Sequence, residues 1–303
     1  MIDSVIQFFR KKRPFIIGFM YVFNERDIIE ELIQHMRRME VPLVVIDNGS
    51  DDGTEKILEE YLGKGILEIR QIKTSHFEIG LLLNHVEDYI KRWNPKWVCL
   101  LDADEFLEPP YQGISLKDAV AYEDSLGYNL IQFDHFEFWP TEKDPDPRTE
   151  DITNQIQFYS WNDDYQFKCF KNVPGTNLAE TGSHLPIFPY NTRVSLSPTK
   201  YIMRHYGIRS REHGIKKAFA ERLDRYTSHE KKKWGLKKYE KFSHDGASFI
   251  IESSKLTRYN NDGVWNRERK FDGLRGYPFP SLGTSTEVEK AMASFRSQIE
   301  EIR

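Results

Sequence analysis

The chain has only two cysteines in 303 residues, no apolar run approaching a membrane span, and no excess of positive charge, its net charge being −4. Each scarcity removes a class of protein. Cys99 and Cys169 stand alone in sequence, which excludes a disulfide framework or a cysteine-built zinc site. Cys99 lies inside an apolar run and reads as a core residue of a protein kept in a reducing compartment. Without about eighteen consecutive apolar residues no spanning helix is expected. A slightly negative balance leaves no global footprint for nucleic acid, so no nucleic-acid partner is expected. Glycine is missing where phosphate loops need it: neither G-x-G-x-x-G nor the Walker A pattern occurs. At the N-terminus, Phe8 and Phe9 precede Arg10, Lys11, Lys12 and Arg13, and no long apolar h-region follows. That is the wrong order for a secretory signal, so a cytoplasmic protein is expected.

What is present describes a soluble globular chain, 39% apolar and 30% charged, long enough for one large domain with an appended lobe. Aromatics reach 14%, a level that suits carbohydrate- or base-stacking surfaces as well as ordinary cores. Phe15 to Val22 is a continuous apolar run and reads as a strand. Asn24 then reads as a helix N-cap with Asp27 three residues on, before Ile28, Ile29, Leu32, Ile33 and Met36 at helical spacing. A second strand ends at Asp47, and Ile57, Leu58, Tyr61 and Leu62 mark a second helix. Ile66 to Ile72 is a third strand, Ile79 to Trp93 a third helix and Trp97 to Leu101 a fourth strand. This alternation predicts an α/β fold, a mostly parallel sheet flanked by helices with right-handed crossovers.

Beyond Glu105 the rhythm changes. Leu116 to Leu126 reads as a helix and Asn129 to Phe138 as an alternating strand. Pro140 to Asp151, rich in proline and charge, reads as an exposed lid or acceptor-binding loop. Short strands are expected at Phe167 to Phe170 and Tyr201 to Arg204, and a mainly helical, polar lobe from Ile208 onward. The expected division is residues 1–205 as the catalytic domain and 206–303 as a helical extension packed on it.

Two strand ends carry the chemistry. Asp102 and Asp104, two residues apart in extended chain, leave on one face. Carboxylates converging where a buried strand ends suit a hard divalent cation, Mg²⁺ or Mn²⁺, which bridges to substrate phosphates. The plain alternative for a D-x-D triplet is a solvated turn, and Glu105 is expected to point away into a salt bridge or cap. Asp47, Asn48, Ser50 and Asp52 close the second strand. Asp47 and Asn48 offer acceptor and donor edges to a buried base, and the same residues also suit an Asx-turn capping the next helix. Tyr21, Phe23, Asn24 and Glu25 end the first strand nearby, where an aromatic ring can stack on the base.

Three stretches together resemble glycosyltransferase family 2, the inverting enzymes of the GT-A (Rossmann-like) fold. They are Phe23-Asn24-Glu25, Asp47-Asn48-Gly49-Ser50-Asp51-Asp52-Gly53-Thr54 and Asp102-Ala103-Asp104-Glu105, and the resemblance covers residues 14 to about 110. It implies a nucleotide-diphosphate sugar donor, bound through Phe23, Asn24, Glu25, Asp47, Asn48 and Asp102. It further implies Mn²⁺ or Mg²⁺ at Asp102 and Asp104. Many members carry Asp where Asn48 stands, so the donor base is not fixed as uracil. The Q-x-x-R-W motif of processive synthases is absent, which points to a non-processive bacterial type. The acceptor implied is a glycan or lipid-linked sugar in cell-surface polysaccharide synthesis.

Gly182-Ser183-His184-Leu185-Pro186 and His205-Tyr206-Gly207-Ile208-Arg209-Ser210-Arg211-Glu212-His213-Gly214 resemble a bacterial subset of the same family. The resemblance makes His205 the third metal ligand, with a buried structural role as its alternative. Arg209 is assigned to neutralising the diphosphate, against a surface ion pair. Inverting transfer needs a general base on the acceptor hydroxyl. Glu180 is the expected base, with Asp134 and Glu137 as rivals on the alternating strand. Lys231, Lys232, Lys233, Lys237, Lys238 and Lys241 read as a solvated helical face, with peripheral contact at the inner face of a membrane as the second reading. Two other functions compete. A sugar-phosphate nucleotidyltransferase lacks its glycine-rich loop here, and an inactive sugar-binding module has no need of both carboxylates.

Overall fold

The protein, a computed structural model, is described for residues 13–74, 76, 78–144, 151–179, 185–223, 242–271 and 297–298. Glu180, the Gly182-Ser183-His184 turn and the basic stretch 231–241 lie outside them.

The first strands follow from unbroken apolar runs. β1 (Ile16–Val22), β2 (Leu43–Asp47), β3 (Ile66–Gln71) and β4 (Trp97–Asp102) pair in parallel in the order β3-β2-β1-β4. Strands of period two buried on both faces need two layers of helix. α1 (Ile29–Arg38) and α2 (Thr54–Glu60) cover one face, with Leu32, Ile33, Met36 and Leu58 packed on Met20, Val45 and Leu101. α3 (Ile79–Trp93) covers the other, with Leu82, Leu83 and Val86 packed on Phe19, Val44 and Leu100. Each fully buried side chain of this kind contributes about 1.5–3 kcal/mol.

Asn24 is not the cap of α1: the N-cap is Ile28, without a side-chain bond, and Asn24 sits at φ 54. Its side chain instead clasps Asp51, donating from Nδ2 to Oδ1 and accepting from the Asp51 N–H, both at 3.0 Å.

The second half, where the rhythm of the sequence changes, extends the sheet with mainly antiparallel pairs. β5 (Glu105–Glu108), α4 (Leu116–Ser125), β6 (Leu130–Phe138), α5 (Ile152–Gln155), β7 (Phe158–Lys171) and β8 (Tyr201–His205) extend the sheet as β4-β7-β6-β8-β5. There β4–β7, β7–β6 and β8–β5 run antiparallel and only β6–β8 is parallel. β7 is a 14-residue strand rather than a short one, and within it Cys169 lies opposite Cys99 as a second buried free thiol.

After β8 come α6 (Arg211–Ile215) and one π-helical segment, Lys216–Leu223. The described residues 242–271 are not the helices expected: they form single 3₁₀ turns and a two-residue strand, β9 (Thr257–Arg258), on β7. Trp265 and Phe271 pack on Phe136 and Trp139 of the sheet. No described helix is long and apolar enough to cross a membrane.

Candidate functional site

The strand order reverses at β1: β2 and β3 lie to one side and β4 to the other. Ligands of open α/β sheets bind at such a switch, beyond the carboxyl ends of the strands. At that crevice Val22 pairs with Asp47 and Tyr21 with Asp102, so both carboxylates flank the end of β1.

The turn after β2 is mostly self-satisfied. Ser50 donates from N and Oγ to Asp47 Oδ1, Thr54 donates likewise to Asp52 Oδ1, and the Glu25 N–H donates to Thr54 Oγ1. Gly53, at φ 104, supplies the left-handed turn that starts α2. Two atoms are left over. Asp47 Oδ2 and Asn48 Nδ2 are buried and have no hydrogen-bond partner among the described residues. The Thr74 N–H and hydroxyl both donate to Asn48 Oδ1, which fixes the leftover atom of Asn48 as the NH₂ donor. An acceptor and a donor thus stand side by side at the end of β2. Phe23 lies half-buried just beyond β1.

Beyond β4 the D-x-D residues part company. Asp102 is half-buried at the strand end, while Asp104 is 4% exposed and its carbonyl accepts from the Tyr206 N–H. Lys217 donates to Asp104 Oδ2 at 2.6 Å, the Arg209 guanidinium approaches the same oxygen to 4.0 Å, and His205 Nε2 is 3.4 Å from Oδ1. Burial would raise Asp104, but Lys217, His205 and Arg209 hold it well below the usual carboxylate range. Glu105 points away into a buried ion pair with Lys168 at 2.7 Å, and its second oxygen accepts from the Asp102 N–H.

Arg209 is fully buried and faces inward. It donates to Asp27 from Nε and Nη2, to Glu25 from Nη2 at 2.5 Å, and to the Tyr206 carbonyl from Nη1. Burial raises Glu25 in spite of Arg209 and Lys217. His213, behind them, is pushed well down by burial and by the same two cations.

On β6 the alternation places Asp134 and Glu137 on opposite faces. Asp134 pairs with Arg267 at 2.7 Å and Lys200 at 3.6 Å, away from Asp104. Glu137 shares its face with His135, and both meet His205 of the neighbouring β8. Glu137 Oε2 is 2.9 Å from His135 Nε2 and 2.7 Å from His205 Nδ1, the two ring nitrogens are 3.2 Å apart, and Asp164 of β7 is 2.9 Å from His135 Nδ1. Burial would raise Glu137, yet the two imidazoles hold it at about 2. His135 rises to about 9, because Asp164 and Glu137 outweigh the effect of burial.

His135, Asp164 and Lys217 were missed in the sequence. His135 is two residues before Glu137 on an alternating strand, which is a usable signal for a shared face. Nothing local marks Asp164 or Lys217.

The profile of glycosyltransferase family 92 matches residues 13–242. A Mycoplasma pneumoniae protein described as "Uncharacterized glycosyltransferase MG060 homolog" is 26% identical over 100 residues, 33% of this chain. The match spans about a third of that relative's length, 32%. Among solved structures, S. aureus TarS 1-349 aligns at a TM-score of 0.36 with 14% identity, over 74% of this chain and 69% of that one. Apo UDP-glucose pyrophosphorylase aligns at 0.27 with 9% identity, over 63% and 90%. Likeness at these scores says nothing of substrate. The motifs pointed to family 2, and what holds of that resemblance is the broader class of glycosyltransferase. The family match spans both the switch-point crevice and the His205–Lys217 segment that closes on it, and the chain belongs to glycosyltransferase family 92.

Proposed function

We propose that this glycosyltransferase takes its sugar from a nucleotide-diphosphate donor bound at the β1–β2–β4 crevice and passes it, with inversion, to a glycan or lipid-linked acceptor in surface polysaccharide assembly. The observation that carries the reading is the pair of leftover atoms, Asp47 Oδ2 and Asn48 Nδ2. A buried acceptor and donor left unpaired cost about 1–3 kcal/mol each unless a ligand satisfies them, and the edge of a nucleobase offers the complementary pair.

In an inverting transfer the acceptor hydroxyl attacks the anomeric carbon, a carboxylate takes its proton, and the nucleoside diphosphate leaves on the opposite face. Asp134 is committed to Arg267 and Lys200, and the Glu137 oxygen Oε2 is held by two imidazoles. Glu180, outside the described residues, therefore remains the assigned base.

A divalent cation would supply positive charge to the leaving diphosphate. The D-x-D carboxylates fit one poorly, because Asp104 Oδ2 already carries the Lys217 ammonium with Arg209 beside it. A further cation there meets two fixed positive charges.

The test is a thermal-shift panel of nucleotide sugars followed by NMR of the product. A matched donor at a hundredfold excess over its Kd should stabilise by about 2.7 kcal/mol. If no nucleotide sugar stabilises the protein, the donor reading fails; a product that retains the donor's anomeric configuration removes the inverting mechanism.

A further inference from the structure

We propose that His135, Glu137 and His205 form a binding site for one divalent transition-metal cation, separate from the D-x-D carboxylates. The three ligand atoms, His135 Nε2, Glu137 Oε2 and His205 Nδ1, lie 2.7–3.2 Å from one another. Ligands held at about 2.0–2.2 Å from a single cation stand about 3 Å apart, so the triangle already has the edge lengths of a coordination face.

Its outer contacts are those of a metal site. Ligating imidazoles characteristically donate their other N–H to a carboxylate, which fixes tautomer and ring orientation. His135 has Asp164 at 2.9 Å on Nδ1, and His205 has Asp104 at 3.4 Å on Nε2. Both inward nitrogens are thereby left to face the same point as the Glu137 oxygen. The second Glu137 oxygen, Oε1, is buried with no hydrogen-bond partner among the described residues, in a side chain 2% exposed. The space beside it is kept by Gly207. A Cβ there would lie 2.9 Å from Glu137 Oε1 and 3.0 Å from the His205 ring.

Charge agrees with geometry. Asp104, Glu137 and Asp164 bring three buried carboxylates to two imidazoles, with Lys217 and Arg209 approaching on the Asp104 side. A contrasting cluster, Glu25, Asp27 and His213, also gathers within ligand distance, but there the Arg209 guanidinium occupies the centre. Two imidazoles with one carboxylate suit Mn²⁺, Fe²⁺, Co²⁺ or Zn²⁺ over Mg²⁺ or Ca²⁺. The site does not depend on the donor reading: its test needs no sugar.

The full chain is stripped with a chelator and titrated with Mn²⁺, and pulsed EPR counts the imidazole nitrogens coupled to the bound ion. One Mn²⁺ per chain with two coupled nitrogens is expected. A cation at Asp102 and Asp104 with His205 would show one nitrogen, and that result, or no stoichiometric binding, overturns the proposal. His135→Gln should lose one coupling and weaken Mn²⁺ by about tenfold or more, while Asp102→Asn keeps both couplings. His135→Gln binding as wild type, or Asp102→Asn abolishing the signal, would equally overturn it. The count on the unmodified chain stands even if His135→Gln fails to fold.

Discussion

β1 and β4, on one side of the sheet, are apolar almost from end to end, whereas β6 and β7, buried as deeply, carry Asp134, His135, Glu137, Asp164, Gln166 and Lys168. The parallel half is held by hydrocarbon packed between two layers of helix. The mixed half adds to buried rings such as Phe133, Phe136 and Phe138 a set of charges that answer one another across three or four strands. Both solutions bury the sheet, but they respond differently to substitution and to pH, and they leave different traces in the sequence.

Removing one charge from the mixed half should have the largest effect on stability. Lys217→Met leaves Asp104 buried without its ammonium and is expected to lower unfolding free energy by about 3–5 kcal/mol in urea titration. A loss below about 1 kcal/mol would show that His205 and Arg209 suffice. On the hydrocarbon side, Leu83→Ala beneath α3 should cost about 2–5 kcal/mol by the same assay, with no change in the pH dependence of stability.

His35 sharpens the contrast where α1 meets β5. Its Nε2 lies 2.9 Å from the Leu107 carbonyl, and burial pushes its pKa down to about 4. The neutral ring donates there. Because the folded value lies below that of the unfolded chain, its contribution is complete above about pH 6.5 and is lost as pH falls towards 4. A displacement from 6.5 to about 4 corresponds to about 3 kcal/mol. His35→Gln, which keeps a donor, should flatten that part of the profile. Equal slopes for the two proteins between pH 6.5 and 4.5 would refute the assignment.

The smallest stability change is expected at the end of β2. Asn48→Asp turns the leftover donor into an acceptor while keeping the Thr74 bonds, and because this sets a second unpaired buried oxygen beside Asp47 Oδ2 it should cost about 1–3 kcal/mol in urea titration. Nucleotide binding, measured by calorimetry with uridine, guanosine and cytidine diphosphates, should change in base preference. An unaltered ranking would place the base elsewhere.

The hydrocarbon half was legible in the sequence almost residue for residue, from β1 through α3 to Asp102. Apolar runs and helical spacing are local signals, and burial of hydrocarbon is what they report. β7 shows where that signal ends. Only Phe167 to Phe170 stood out, because Asn162, Asp163 and Asp164 interrupt any apolar run before it. Asp164 is buried against His135, 29 residues away, and Lys168 against Glu105, 63 residues away by number. Polar residues buried by a distant partner have no local period. Asn24 failed for a related reason: its side chain serves Asp51, 27 residues on, rather than the helix that follows it. At the site, Asp47, Asn48, Asp102, Asp104 and His205 were singled out from strand ends and motifs. Arg209 was assigned to the diphosphate, and in the structure it is buried against Glu25 and Asp27.

Arg209 also bears on the order in which this chain can assemble. It closes the β1–α1 loop from 182 and 184 residues downstream, through Asp27 and Glu25. Until it arrives, those two carboxylates lack its guanidinium, although β1 to β4 pair with one another and are all synthesised before it. Contacts of such sequence separation carry a large loop-closure cost and form late. A chain emerging from the ribosome would therefore complete its parallel strands well before the floor of its crevice. A truncation ending before residue 209 should collapse into a sheet that hydrogen exchange shows protected at β1 and open at Glu25 to Asp27.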